Sequence, residues 1–116
     1  MAVITLWHNP RCSKSRQTLA LIEAAGAAMT VRRYLEDAPS GGEIEAVRRA
    51  LGMPPVIQMM RRGEETFKAL GLSKDTPDAA LIAAMAAHPI LIERPIAIKA
   101  GRAVIGRPPE AVQALL

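Results

Sequence analysis

The chain has 116 residues, 50% of them apolar, with fifteen Lys and Arg against eleven Asp and Glu and a net charge of +4. That length supports one domain with a single core, and the lone cysteine, Cys12, excludes an internal disulfide framework. Cys12, His8 and His88 give too few soft ligands for a four-ligand zinc site, and no apolar run approaches the roughly twenty residues that span a bilayer, so neither a metal nor a membrane is expected.

Ala2 to Trp7 reads as a short buried strand carrying Val3, Ile4 and Leu6, stopped by His8-Asn9-Pro10. From Ser13 to Ala25 the apolar residues Leu19, Ile22 and Ala25 recur at helical spacing, and Gly26 is a C-terminal stop. Met29, Val31 and Arg33 alternate with Thr30, Arg32 and Tyr34 in a second strand, which completes a strand–helix–strand unit. Ser40-Gly41-Gly42-Glu43 is a capping-box pattern, and Ile44, Val47 and Leu51 stripe the helix that ends at Gly52. Val56 to Arg62 and Glu65 to Leu70 read as short helices, and Thr76-Pro77 opens a further one to about Ala87. Ile96 to Lys99 and Arg102 to Ile105 flank Ala100-Gly101, a two-residue hairpin turn, and a last helix is expected over Glu110 to Leu116. The order βαβ, helices, ββα predicts an α/β protein: a thioredoxin-like mixed four-stranded sheet with an all-helical insert at about 40–88, in a single domain over 1–116.

Cys12 falls where the first strand has ended and the first helix begins, so unpaired N–H groups and the positive helix end favour its thiolate. Lys14 and Arg16 add positive charge, Ser13 and Ser15 add hydroxyl donors, and His8 at the strand end adds charge or a hydrogen bond. A cysteine near a helix start is often only a small buried hydrophobe, but a basic, hydroxyl-rich loop is the setting of a nucleophile. Eleven of the fifteen bases are Arg, whose planar fork grips oxyanions at two points, although a solvated surface explains an Arg bias as well. The bases lie in scattered pairs and only Trp7, Tyr34 and Phe67 are aromatic, so no nucleic-acid platform is expected. His88 reads as a helix-ending residue, Met59, Met60 and Met85 as core fillers, and Glu64-Glu65 as a solvated face. The Cys12-x-x-x-Arg16 spacing is too short for a tyrosine-phosphatase loop.

His8-Asn9-Pro10-Arg11-Cys12-Ser13-Lys14-Ser15-Arg16 resembles the active-site loop of the glutaredoxin-dependent arsenate reductase family, ArsC/Spx-like. Tyr34-Leu35-Glu36, Arg61 ahead of Leu70-Gly71-Leu72, His88 to Ile96 and Ile105-Gly106-Arg107-Pro108 are similar to that family's segments in order and spacing. The resemblance covers essentially the whole chain and is greatest to the short, arsenate-reductase-like branch. It implies a Cys12 nucleophile and an oxyanion pocket of Arg61, Arg94 and Arg107, with Arg62 beside Arg61 as the alternative. It also implies that Pro95 is the cis proline facing the cysteine loop in thioredoxin-like folds.

The resemblance thus leads to an arsenate reductase in which Cys12 forms a thiolate–arsenic adduct with arsenate. The chain has no second cysteine, so the resolving thiols come from outside: glutathione as co-substrate and glutaredoxin as partner, with no bound cofactor. The lone thiol and the lack of a secretory leader pattern fit a cytoplasmic protein, expected as a monomer. Two other readings compete. One is a redox-responsive regulator of Spx type, although position 15 is Ser where those regulators carry the second cysteine of a switch. The other is a glutathione-linked thiol oxidoreductase without arsenate activity.

Overall fold

A computed structural model describes residues 3–116. The strands are β1 (Ile4–Trp7), β2 (Met29–Arg32), β3 (Ile96–Lys99) and β4 (Arg102–Ile105); the α-helices are α1 (Ser13–Ala24), α2 (Gly41–Ala50), α3 (Glu65–Ala69) and α4 (Asp78–Ala87). Ala2, expected to start the first strand, lies outside the described residues. Three 3-10 segments, Val56–Met59, Pro89–Leu91 and Pro109–Leu115, complete the element order.

The sheet runs β2-β1-β3-β4, with β1 parallel to β2 and antiparallel to β3, and β3 antiparallel to β4. This is the expected mixed, thioredoxin-like α/β sheet. Interior position explains why β1 is apolar almost throughout: Ile4, Leu6 and Trp7 are buried. Edge strand β2 is more polar, and Arg32 lies over the Trp7 ring at 5.7 Å. Arg33 and Tyr34, expected to continue β2, fall beyond its end.

Packing divides the chain into two compact units: residues up to Asp37 together with Arg94–Leu116, and Ala38–Glu93. In the first, Ile4, Leu6, Ile22, Ala97, Val112 and Leu115 form one core cluster. The last segment of this unit is 3-10 rather than the expected α-helix. Its buried residues, Pro109, Val112 and Leu115, recur every three positions, which a helix of three residues per turn aligns on one face.

In the second unit α2 packs on α4, with Ile44, Val47, Leu81, Ile82 and Met85 buried. The expected capping box is present: Glu43 N–H donates to Ser40 Oγ at 3.1 Å, and Ser40 N–H donates to Glu43 Oε1 at 3.0 Å. His88 ends α4, and Met59, Met60 and Met85 are buried as core fillers. This unit is not all helical. The helix expected to reach Arg62 stops at Met59, because Met60 forms an antiparallel bridge with Ile92.

Candidate active site

The strand register carries distant residues to the end of β1. Trp7 pairs with Ile96, so Arg94-Pro95 arrive beside the residues that follow Trp7. Ile96 pairs with Ile105, which sets Gly106-Arg107 opposite Pro95-Arg94, and Gly106 N–H donates to the Pro95 carbonyl at 2.9 Å. Both Arg94-Pro95 and Arg107-Pro108 are cis peptides. Gly106 is required by space rather than by dihedral angle. A Cβ there would lie 2.6 Å from Thr18 Oγ1 and 2.7 Å from Pro95 Cγ.

Cys12 is the extended N-cap residue of α1, and only 9% of it is exposed. Its N–H donates to the Asn9 carbonyl and its carbonyl accepts from Arg16 N–H, both at 3.0 Å, which closes the loop onto the helix. Arg107 Nη2 donates to Cys12 Sγ at 3.6 Å, while its Nε donates to the Arg94 carbonyl at 2.8 Å. One guanidinium therefore touches the sulfur and holds the next arginine's backbone. Burial pushes the Cys12 thiol up, but the Ser15 N–H, the hydrogen bond and charge of Arg94, and the Lys14 N–H together outweigh it. The net result is a thiol below its ordinary value and inclined to ionise.

The other loop residues build the cradle. His8 Nδ1 and Ser15 Oγ share a hydrogen bond of 2.7 Å, and Ser15 Oγ also accepts from Asn9 N–H at 3.0 Å. Ser15 thus favours the thiolate through its backbone N–H, while its hydroxyl is engaged by His8 and Asn9. Burial, reinforced by the charges of Arg33 and Arg16, holds His8 below its ordinary value, so the imidazole is neutral at neutral pH. Its contribution is a hydrogen bond, not a positive charge. Arg16 Nη1 donates to the Pro10 carbonyl at 2.9 Å and pins the loop.

Arg61 belongs to the second unit, where its Nη1 donates to Glu64 Oε1 at 2.6 Å and its N–H donates to the Leu91 carbonyl at 2.8 Å. Glu64 is therefore an ion-pair partner and not simply a solvated face. Arg62 is exposed. Asn9 and Gly106, noted in the sequence only as parts of motifs, and Thr18 prove to be packing or hydrogen-bonding members of the site. Only Gly106 left a signal, since a glycine at a strand end marks close approach by another backbone or side chain.

Residues 7–115 match the model of the ArsC family. The chain belongs to the ArsC family. Among ArsC relatives, arsenate reductase from Haemophilus influenzae is 45% identical, and arsenate reductase from Neisseria meningitidis serogroup A is 43% identical, each over 100% of both chains. The solved structure of arsenate reductase from Vibrio cholerae is similar at TM-score 0.94 and 50% identity, covering 98% of each chain. The chain therefore shares its fold with that solved structure over nearly its whole length.

Proposed function

We propose that the protein is an arsenate reductase that couples Cys12 to glutathione and glutaredoxin. The observation that carries this reading is the placement of the sole cysteine, at the start of α1 with Arg107 on its sulfur and Arg94 lowering its pKa. Full-length relatives named arsenate reductase support the substrate. Arsenate is an anion, and a thiolate approaches it only where cationic donors neutralise its charge, the role given to Arg94 and Arg107. The Cys12 thiolate displaces one arsenate oxygen as water, forming a sulfur–arsenic(V) bond. Glutathione displaces a second oxygen as water. The glutaredoxin thiolate then attacks the glutathione sulfur, and the electron pair of the breaking sulfur–arsenic bond reduces arsenic(V) to arsenic(III). Hydrolysis frees arsenite and Cys12. Overall, arsenate and two thiols give arsenite, one disulfide and water, with both thiols supplied from outside the chain. Such a reaction belongs in the reducing cytoplasm and needs one chain only.

The test is NADPH consumption by purified protein with arsenate, glutathione, glutaredoxin and glutathione reductase, beside a Cys12→Ser control. Arsenate-dependent turnover lost in the control is expected. A folded protein with a reactive Cys12 and no such turnover overturns the reading in favour of a glutathione-linked thiol oxidoreductase or a redox regulator.

A further inference from the structure

A second feature of the cysteine loop is left unused by that reaction scheme. A cavity of about 240 Å³ opens within the first unit, with Asn9, Arg11, Arg33, Leu35 and Glu36 in its lining and His8 at its wall. It adjoins the nucleophile through the backbone, because the carbonyl of Asn9 accepts the N–H of Cys12 at 3.0 Å, while Asn9 Oδ1 accepts the N–H of Arg11 at 3.0 Å. The turn after β2 brings a carboxylate to the same lining: the Arg33 carbonyl accepts from the N–H groups of Glu36 and Asp37, at 3.0 and 2.9 Å.

Three exposed charged side chains meet at this cavity. Among the described residues, neither guanidinium, of Arg11 or of Arg33, makes an ion pair or a hydrogen bond, although both border one cavity. Arg33 is near enough that its charge disfavours protonation of His8. Two unpaired cations and one carboxylate around a single cavity match a ligand with negative charge in excess and one ammonium group. That is the charge set of glutathione, with two carboxylates, one ammonium and its own thiol.

Resting on the reductase reading above, we propose that this cavity binds the amino-acid end of glutathione. The carboxylate of the γ-glutamyl head pairs with Arg33 and Arg11, its ammonium pairs with Glu36, and Leu35 covers the methylenes. The volume supports partial rather than complete enclosure, since pockets that swallow a drug-sized ligand run from about 300 Å³ upwards. The remainder of the tripeptide, with the thiol, stays outside the cavity on the Cys12 side of Asn9.

S-methylglutathione separates binding from chemistry, because it carries the same charges and no free thiol. Calorimetric titration into the wild-type protein should give saturable binding, weakened about tenfold in Arg33→Gln and in Glu36→Gln and restored in part by Arg33→Lys. Alkylation of Cys12 by the neutral reagent iodoacetamide should remain within about twofold of wild type in all three, which shows an intact loop. In the coupled assay KM for glutathione should rise in the Gln variants, while arsenite formation with 2-mercaptoethanol in place of glutathione, measured directly as arsenite, should not change, because that thiol has no carboxylate or ammonium. Absence of S-methylglutathione binding to wild type, or equal affinity in wild type and an Arg33→Gln/Glu36→Gln double variant, overturns the subsite. Binding with the expected losses but no arsenate turnover keeps the subsite and removes the reductase reading; turnover with unchanged KM does the reverse.

Discussion

Arg107 and Cys12 are 95 positions apart in the chain, yet Arg107 Nη2 donates to Cys12 Sγ at 3.6 Å. The same guanidinium donates through Nε to the Arg94 carbonyl, so one side chain both stabilises the thiolate and positions a second cation. Arg107→Ala should shift the pH profile of Cys12 alkylation upwards, and Arg107→Lys should fall between it and wild type, because an ammonium keeps the charge and loses the fork. Folding stability should follow the same ionisation. A thiol lowered in the folded state contributes stability that is fully present above its unfolded value and is lost as pH falls through the folded one. The stability advantage of wild type over Cys12→Ser should therefore shrink on acidification, measured by urea melts across that window.

Arg94 offers a sharper separation of chemistry from fold. Arg94→Ala should cost roughly a hundredfold or more in arsenate turnover while changing unfolding free energy by only about 1 kcal/mol. Comparable energetic losses in turnover and in stability would falsify its assignment to the oxyanion.

Gly106→Ala tests the packing that aims Arg107. The added Cβ must displace Thr18 Oγ1 or the Pro95 ring, neither of which is the loose end of a flexible side chain. A destabilisation of roughly 1–3 kcal/mol in urea is expected, together with slower alkylation of Cys12.

His8 predicts a pH dependence of its own. Its folded value lies below the ordinary one, so the neutral ring contributes stability present above the unfolded value and lost as pH falls towards the folded one. His8→Asn retains a side chain able to bond Ser15 and removes the titration. Its urea midpoint should change less than that of wild type between about pH 7.5 and 5.5.

The hairpin turn supplies a purely structural test. Ala100 has φ 49° and Gly101 φ 78°, and a left-handed alanine is strained where asparagine is tolerated. Ala100→Asn should raise stability by about 0.5–1 kcal/mol in thermal or urea unfolding.

The Ala100-Gly101 turn and the Ser40/Glu43 capping box were legible in the sequence because both are local: a few adjacent residues carry the whole interaction. The cysteine at the start of α1 was legible for the same reason. The 3-10 form of Pro109–Leu115 has no such signature, since a spacing of three among buried residues differs from α-helical spacing only once it is known which residues are buried. The bridge of Met60 with Ile92 depends on residues far apart in sequence, and no local pattern announces it. At the site, residue types were visible but their partners were not. The sequence offers Ser15 as a hydroxyl donor, and only the fold shows that His8 and Asn9 engage that hydroxyl while its backbone N–H serves the sulfur.

The unit that holds Cys12 is discontinuous: its last stretch, from Arg94 onwards, returns only after Ala38–Glu93 has intervened. An unfolded chain lacks both sets of groups that lower the thiol: the Ser15 and Lys14 N–H groups at the start of α1, and the arginine that follows the intervening segment. The pairing of β3 with β1 brings Arg94 beside the cysteine loop, and the pairing of β4 with β3 brings Arg107. The full electrostatic environment of the sulfur therefore exists only once residues on both sides of the intervening segment have come together in one sheet.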